Sequence, residues 1–70
     1  MSVETIKSAI NRLAKEGFLD AFNDDKLRAA IFSLERKHCE YEAKQQLNAV
    51  IRNYQANGNS KAAQIVAEAL

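Results

Sequence analysis

From Asp24 to Ala56 the chain carries neither glycine nor proline, and that stretch is close to half of the 70 residues. Asn23 or Asp24 is suited to cap a helix N-terminus, because the side-chain oxygen accepts from the first free backbone N–H groups. Asp25 adds negative charge where a helix dipole favours it. Asn57 and Gly58 tolerate the left-handed conformation that ends a helix. One unbroken helix over 25–56 would span roughly 32 residues, or about 48 Å at 1.5 Å per residue. A compact chain of this length has a radius of gyration of about 11 Å and is roughly 28 Å across. Such a helix outgrows its own monomer, so either it breaks or something else covers its overhang.

The apolar pattern sharpens this choice. At about 100° per residue, Leu27, Ile31, Leu34, His38 and Tyr41 share one sector, roughly 80° wide. A second stripe lies opposite: Ala29, Phe32, Cys39, Ala43, Leu47, Val50 and Tyr54, with Ile51 at its edge. The first half of the stretch is therefore apolar on two sides and the second half on one. A helix apolar on both sides is enclosed on both sides. The expected fold class is all-α: a single domain over 1–70, three helices with a long central one, in a helical-bundle homodimer. The dimer contact is expected around Leu27, Ile31, Leu34 and Tyr41, or around Leu47, Val50 and Tyr54. A break near 39–44, by the polar residues Glu35 to His38 and Glu40 to Gln46, is the alternative. It is opposed by strong helix formers and by the favourable i,i+4 pair Glu40–Lys44.

Helix 1 is expected over 3–16. Ser2 serves as its cap, Val3, Ile6, Ile10 and Leu13 form its apolar face, and Gly17 lies just past its end. Phe18, Leu19 and Phe22 then place three large apolar groups in a short connection. They either plug one end of the bundle or form an exposed partner patch. Asn57-Gly58-Asn59-Ser60 is the clearest turn. It leads into a third helix over 61–70 with Ala62, Ile65, Val66, Ala69 and Leu70 on its apolar side. A helix so short must dock on a neighbour to persist.

So small a core is marginal without help from a disulfide, a metal or a second subunit. One cysteine, Cys39, makes no internal disulfide, and this usage suits a cytoplasmic protein. Ten basic against nine acidic residues give a net charge of +1, which is not the footprint of a protein held to nucleic acid by charge alone. No apolar run approaches a membrane span, so no membrane partner is expected. Met1-Ser2-Val3-Glu4 lacks the start of a signal peptide.

No catalytic site is expected. His38 and Cys39 are adjacent, and neighbours on a helix point about 100° apart, which is wrong for a nucleophile–base pair. Glu35 and His38 have the Glu-x-x-His spacing of di-iron bundles, and Glu42 lies four residues beyond His38. The further glutamates such a site needs are missing from helix 1's apolar face, so no metal and no cofactor is expected. His38, inside the first stripe with Tyr41, would be buried, and at an interface would make assembly pH-sensitive.

The segment Ser2 to Leu19 resembles the recognition-helix segment of winged-helix DNA-binding proteins, matching at Ser2, Thr5, Ile6, Ile10, Leu13, Gly17 and Leu19. The resemblance covers about a quarter of the chain. It implies that Thr5, Lys7, Ser8, Asn11 and Arg12 face DNA, with Lys15 adding charge, and that a β-hairpin wing follows. The leading expectation is different: a small non-enzymatic protein–protein interaction module. Such a chain acts as a regulator, inhibitor or assembly factor, of the kind carried by phages and mobile elements, with itself and another protein as partners. A DNA-binding transcriptional regulator using Lys7, Asn11, Arg12 and Lys15 is the alternative.

Overall fold

A computed structural model describes residues 1–70, and it contains four helices and no strand. Helix α1 runs Val3–Glu16, α2 Ala21–Glu35, α3 Glu40–Ala56 and α4 Ser60–Ala67. The expected long helix is two helices. The break falls at Arg36–Cys39, in the polar run Glu35 to His38 and at the N-terminal edge of 39–44, as the alternative reading has it. It forms because His38 takes the left-handed conformation, with φ of 52°. Histidine is among the few non-glycine residues enriched in that region. The Cys39 N–H then reaches back to the Ser33 carbonyl at 3.0 Å and closes the turn.

The other boundaries have local causes. Ser2 is extended, and its Oγ accepts from the Thr5 N–H at 3.2 Å while Thr5 Oγ1 accepts from the Ser2 N–H at 3.0 Å. This reciprocal pair is a capping box built with threonine. Gly17 adopts φ of 78°, and Phe18 N–H bonds to the Leu13 carbonyl at 2.9 Å, a Schellman end. Gly58, with φ of 73°, ends α3 in the same way: Asn59 N–H bonds to the Tyr54 carbonyl at 2.8 Å. Asn59 then caps α4 by accepting from the Ala62 N–H. The cap of α2 is Asp20, earlier than Asn23 or Asp24. Its Oδ1 accepts from the Asn23 N–H at 2.8 Å. That earlier start carries Phe22 into the first turn of α2 and away from the connection.

The helices pack in a ring, α1 on α2, α2 on α3, α3 on α4 and α4 back on α1. The α2–α3 seam is the most extensive and the α1–α4 seam the slightest. Ile6, Leu13, Leu27, Leu47, Val50 and Val66 are fully buried at the centre. Four alanines, at 43, 62, 63 and 69, let α3 and α4 approach their neighbours closely. The molecule measures 32 × 21 × 20 Å, with a radius of gyration of 10.8 Å. No helix is long and apolar enough to cross a membrane.

The fold-back decides the fate of the two stripes. Once α3 turns against α2, Leu27 meets Ala43, Leu47, Val50 and Tyr54 inside one core. Leu27, Leu47 and Val50 have no exposed surface and Tyr54 has 3%. These four were expected at the centre of a subunit contact, and they are interior residues of a single chain. Ile31 and Leu34 pack partly buried against the same core. Tyr41 stands outside at 72% exposure. Ala29 and Phe32 were expected to be continuous with Leu47 and Val50, and they stay on the outer side of α2.

One buried polar cluster ties the lower end of the α2–α3 pair. Asn23 has no exposed surface, and its Nδ2 donates to Asp20 Oδ2 at 3.0 Å and to Asn53 Oδ1 at 3.1 Å. Its Oδ1 has no partner. The Tyr54 hydroxyl donates to the Phe18 carbonyl at 2.9 Å, which pins the α1–α2 connection. Phe18 and Leu19 do plug this end, packed against the core.

Candidate protein interface on the outer face of α2

Phe22, Asp25, Ala29, Phe32 and Arg36 recur at spacings of three and four, so they share one face of α2 about 80° wide. This face points away from the core. Phe22 is 50% exposed and Phe32 is 52% exposed. Ten residues separate the two rings, which sets them about 15 Å apart along the helix. Isolated exposed apolar groups are ordinary. Two phenylalanines on one face of one helix, with the small Ala29 between them, make a line that a second helix can pack against.

A cation attends each ring. The Lys26 ammonium lies 5.7 Å from the Phe22 centroid and the Lys37 ammonium 6.0 Å from that of Phe32. Exposed contacts of this kind are worth about 0.5–1 kcal/mol each. Lys37 also reaches Glu42 at 3.0 Å, which holds the α2–α3 turn against the ring. Arg28 is bound to Asp24 one turn before it. Asp25, Glu35 and Arg36 form no ion pair within the chain.

The remaining candidate residues scatter. On α1, Lys7, Asn11 and Lys15 are exposed, while Arg12 Nη1 holds Glu68 at 2.7 Å across the α1–α4 seam. Helix α2 occupies the place where the winged-helix resemblance implies a β-hairpin, so the wing is absent. His38 is exposed in the turn, off the end of α2, and therefore does not project with Glu35 from a common helix face. The expectation that it is buried beside Tyr41 fails, because the left-handed turn directs it outward. Cys39, half-buried, occupies the N-cap of α3 without making a capping bond. No three His, Cys, Asp or Glu side chains converge on one point.

Three shallow surface depressions exist: between α1 and α4 beside Arg12 and Glu68, along α3 at Tyr41, Gln45 and Arg52, and between α3 and α4 at Gln55 and Gln64. In the second, Gln45 Nε2 donates to the Tyr41 hydroxyl at 2.9 Å. The one clear pKa shift belongs to Tyr54. Burial and then the Asp20 carboxylate push its phenol upward, opposed by the hydrogen bond from Asn23.

The sequence grouped Phe22 with Phe18 and Leu19, as an end plug or an exposed patch, whereas the structure sets it on one face of α2 with Phe32 and Arg36. The signal was available in the second stripe, whose N-terminal members cannot reach the core once the helix folds back. No family model, no curated protein and no solved structure matches this chain.

Proposed function

We propose that this chain is a small protein–protein interaction module. It acts by binding, without chemistry of its own, as a regulator, inhibitor or assembly factor. The supporting observation is the outer face of α2, where two half-exposed phenylalanines flank Ala29 and lie beside charges that have no partner in the chain. Aromatic and arginine side chains contribute disproportionately to protein interfaces. Truncating an anchor of this kind costs binding about 1–2 kcal/mol or more. The DNA-binding alternative has less support. Arg12 is tied to Glu68, and Glu4 and Glu16 stand among Lys7, Asn11 and Lys15.

The test is site-specific photocrosslinking in cells that express the chain. A photoreactive phenylalanine analogue at position 32 should give a discrete protein adduct, and one at the exposed Gln55 should not. Equal, diffuse labelling from both positions would remove the reading. The mass of the adduct separates a second copy of this chain from a different protein.

A further inference from the structure

We infer that the partner of the α2 face is a second copy of this chain, docked antiparallel through α2 about a two-fold axis. The inference rests on the interface reading above and adds the partner and its register.

The face complements itself. Residues 22, 25, 29, 32 and 36 follow the alternating three- and four-residue spacing of a helix-pairing seam. When two such helices run antiparallel, positions of one kind on the first helix meet positions of the other kind on the second. In one register, Asp25 of each copy meets Arg36 of the other. Ala29 then lies opposite Phe32, so the smallest residue of the face makes room for the largest. On the flank, Arg28 meets Glu35. The two-fold axis repeats every contact.

In this arrangement Asp25, Glu35 and Arg36 all acquire opposite charges. Running the helices parallel in register does the reverse. It sets Asp25 on Asp25, Arg36 on Arg36 and Phe32 on Phe32, so like charges disfavour it. Sliding the antiparallel pair by one seam step puts Phe22 on Phe32 but places Asp25 against Ala29 and loses both charge matches. Of these three arrangements, charge and size complementarity together favour the first, in which Phe22 reaches past α2 of the other copy to its α2–α3 turn. A single helix pair covers less than a standard interface, so the dimer should dissociate at accessible concentrations.

The test is sedimentation equilibrium of the full chain from low micromolar to millimolar concentration at low salt. Asp25→Arg and Arg36→Asp each set like charges against one another twice. Each should weaken self-association about tenfold or more. Combining both substitutions in one chain reverses both members of each pair and should restore the dimer. Mixing the two single variants should do the same, giving a heterodimer from two weakly associating chains. Within one chain the two residues are eleven positions apart, about 16 Å along the helix, so rescue reports contact between copies. Both are exposed or without partners, and circular dichroism checks that the variants fold.

A monomer at every concentration overturns the inference, and the position-32 crosslink then judges the interface reading by itself. Association unaffected by both charge changes but lost in Phe32→Gln overturns the register and keeps the face. Association that survives Phe32→Gln as well removes both.

Discussion

Replacing His38 with glycine should stabilise this protein, although glycine is ordinarily a poor choice in a helical chain. His38 holds φ of 52° between α2 and α3. For an L-residue with a Cβ, the left-handed region costs roughly 1–2 kcal/mol, with histidine toward the lower end. Glycine relieves that strain but adds conformational entropy to the unfolded chain, a loss of roughly 0.5–1 kcal/mol. The side chain is exposed and makes no hydrogen bond, so little else changes. The net expectation is a small gain of about 0.5 kcal/mol at most, which raises the melting temperature by about 2–4 °C in a domain of this size. Thermal and urea unfolding followed by helical circular dichroism measure it directly. A continuous helix through this position predicts the opposite sign, a loss of about 0.3–0.5 kcal/mol for glycine in place of histidine in a helix interior. A destabilised His38→Gly protein would therefore refute the fold-back, and with it the burial of Leu47 and Val50 against Leu27.

Other expectations follow from the polar cluster, the core and the first cap. Tyr54→Phe removes the bond to the Phe18 carbonyl and should cost about 1 kcal/mol near neutral pH. Because the folded state raises the Tyr54 pKa, the native protein holds that proton more tightly than the unfolded chain does. The stability tied to this group is then complete below pH 10 and declines as the pH rises through the phenol's titration range. The gap between wild type and Tyr54→Phe should narrow above pH 10 in matched urea titrations, and a gap that widens contradicts the assignment. Asn23→Ala removes two hydrogen bonds at a fully buried position and should cost about 2–3 kcal/mol by chemical denaturation. Leu47→Ala should cost about 2–5 kcal/mol, enough to unfold much of so small a domain at 37 °C. Ser2→Ala should cost about 1 kcal/mol and fray the start of α1, which amide exchange at Thr5 detects.

Much of the fold was legible where the chain uses glycine or a capping side chain. Ser2 and Gly17 bracket α1, and Asn57 to Ser60 mark the turn before the last helix. The α2–α3 break was legible only as the alternative, because no glycine or proline makes it. It depends on one histidine tolerating a left-handed backbone and on the gain from folding α3 onto α2. Local propensity favoured continuing the helix, and tertiary burial overrode it. The two opposed stripes were the visible symptom. A helix apolar on opposite sides was read as one rod between two neighbours, when the same pattern arises from two helices that face each other after a turn. The expectation of a subunit contact at residues on these stripes followed from that step. Leu27, Leu47, Val50 and Tyr54 satisfy one another within the chain, and the residues left over, Phe22, Ala29 and Phe32, are those the fold-back cannot bring inside.

The closure of the helix ring also bears on how the molecule opens. Its α1–α4 seam joins the two ends of the chain through the ion pairs Arg12–Glu68 and Glu16–Lys61. Both ion pairs are well exposed, and such pairs are worth little individually. The α2–α3 seam links near neighbours in sequence and buries most of the central leucines, so its loop-closure cost is small. The hairpin should therefore be the slow-exchanging kernel, and the α1–α4 seam the zip that parts first. Hydrogen exchange would register this as amides in α4 opening at lower free energy than those of Leu27, Leu47 and Val50. The pair of helices that carries the outer face would then stay folded while the ends of the chain loosen around it.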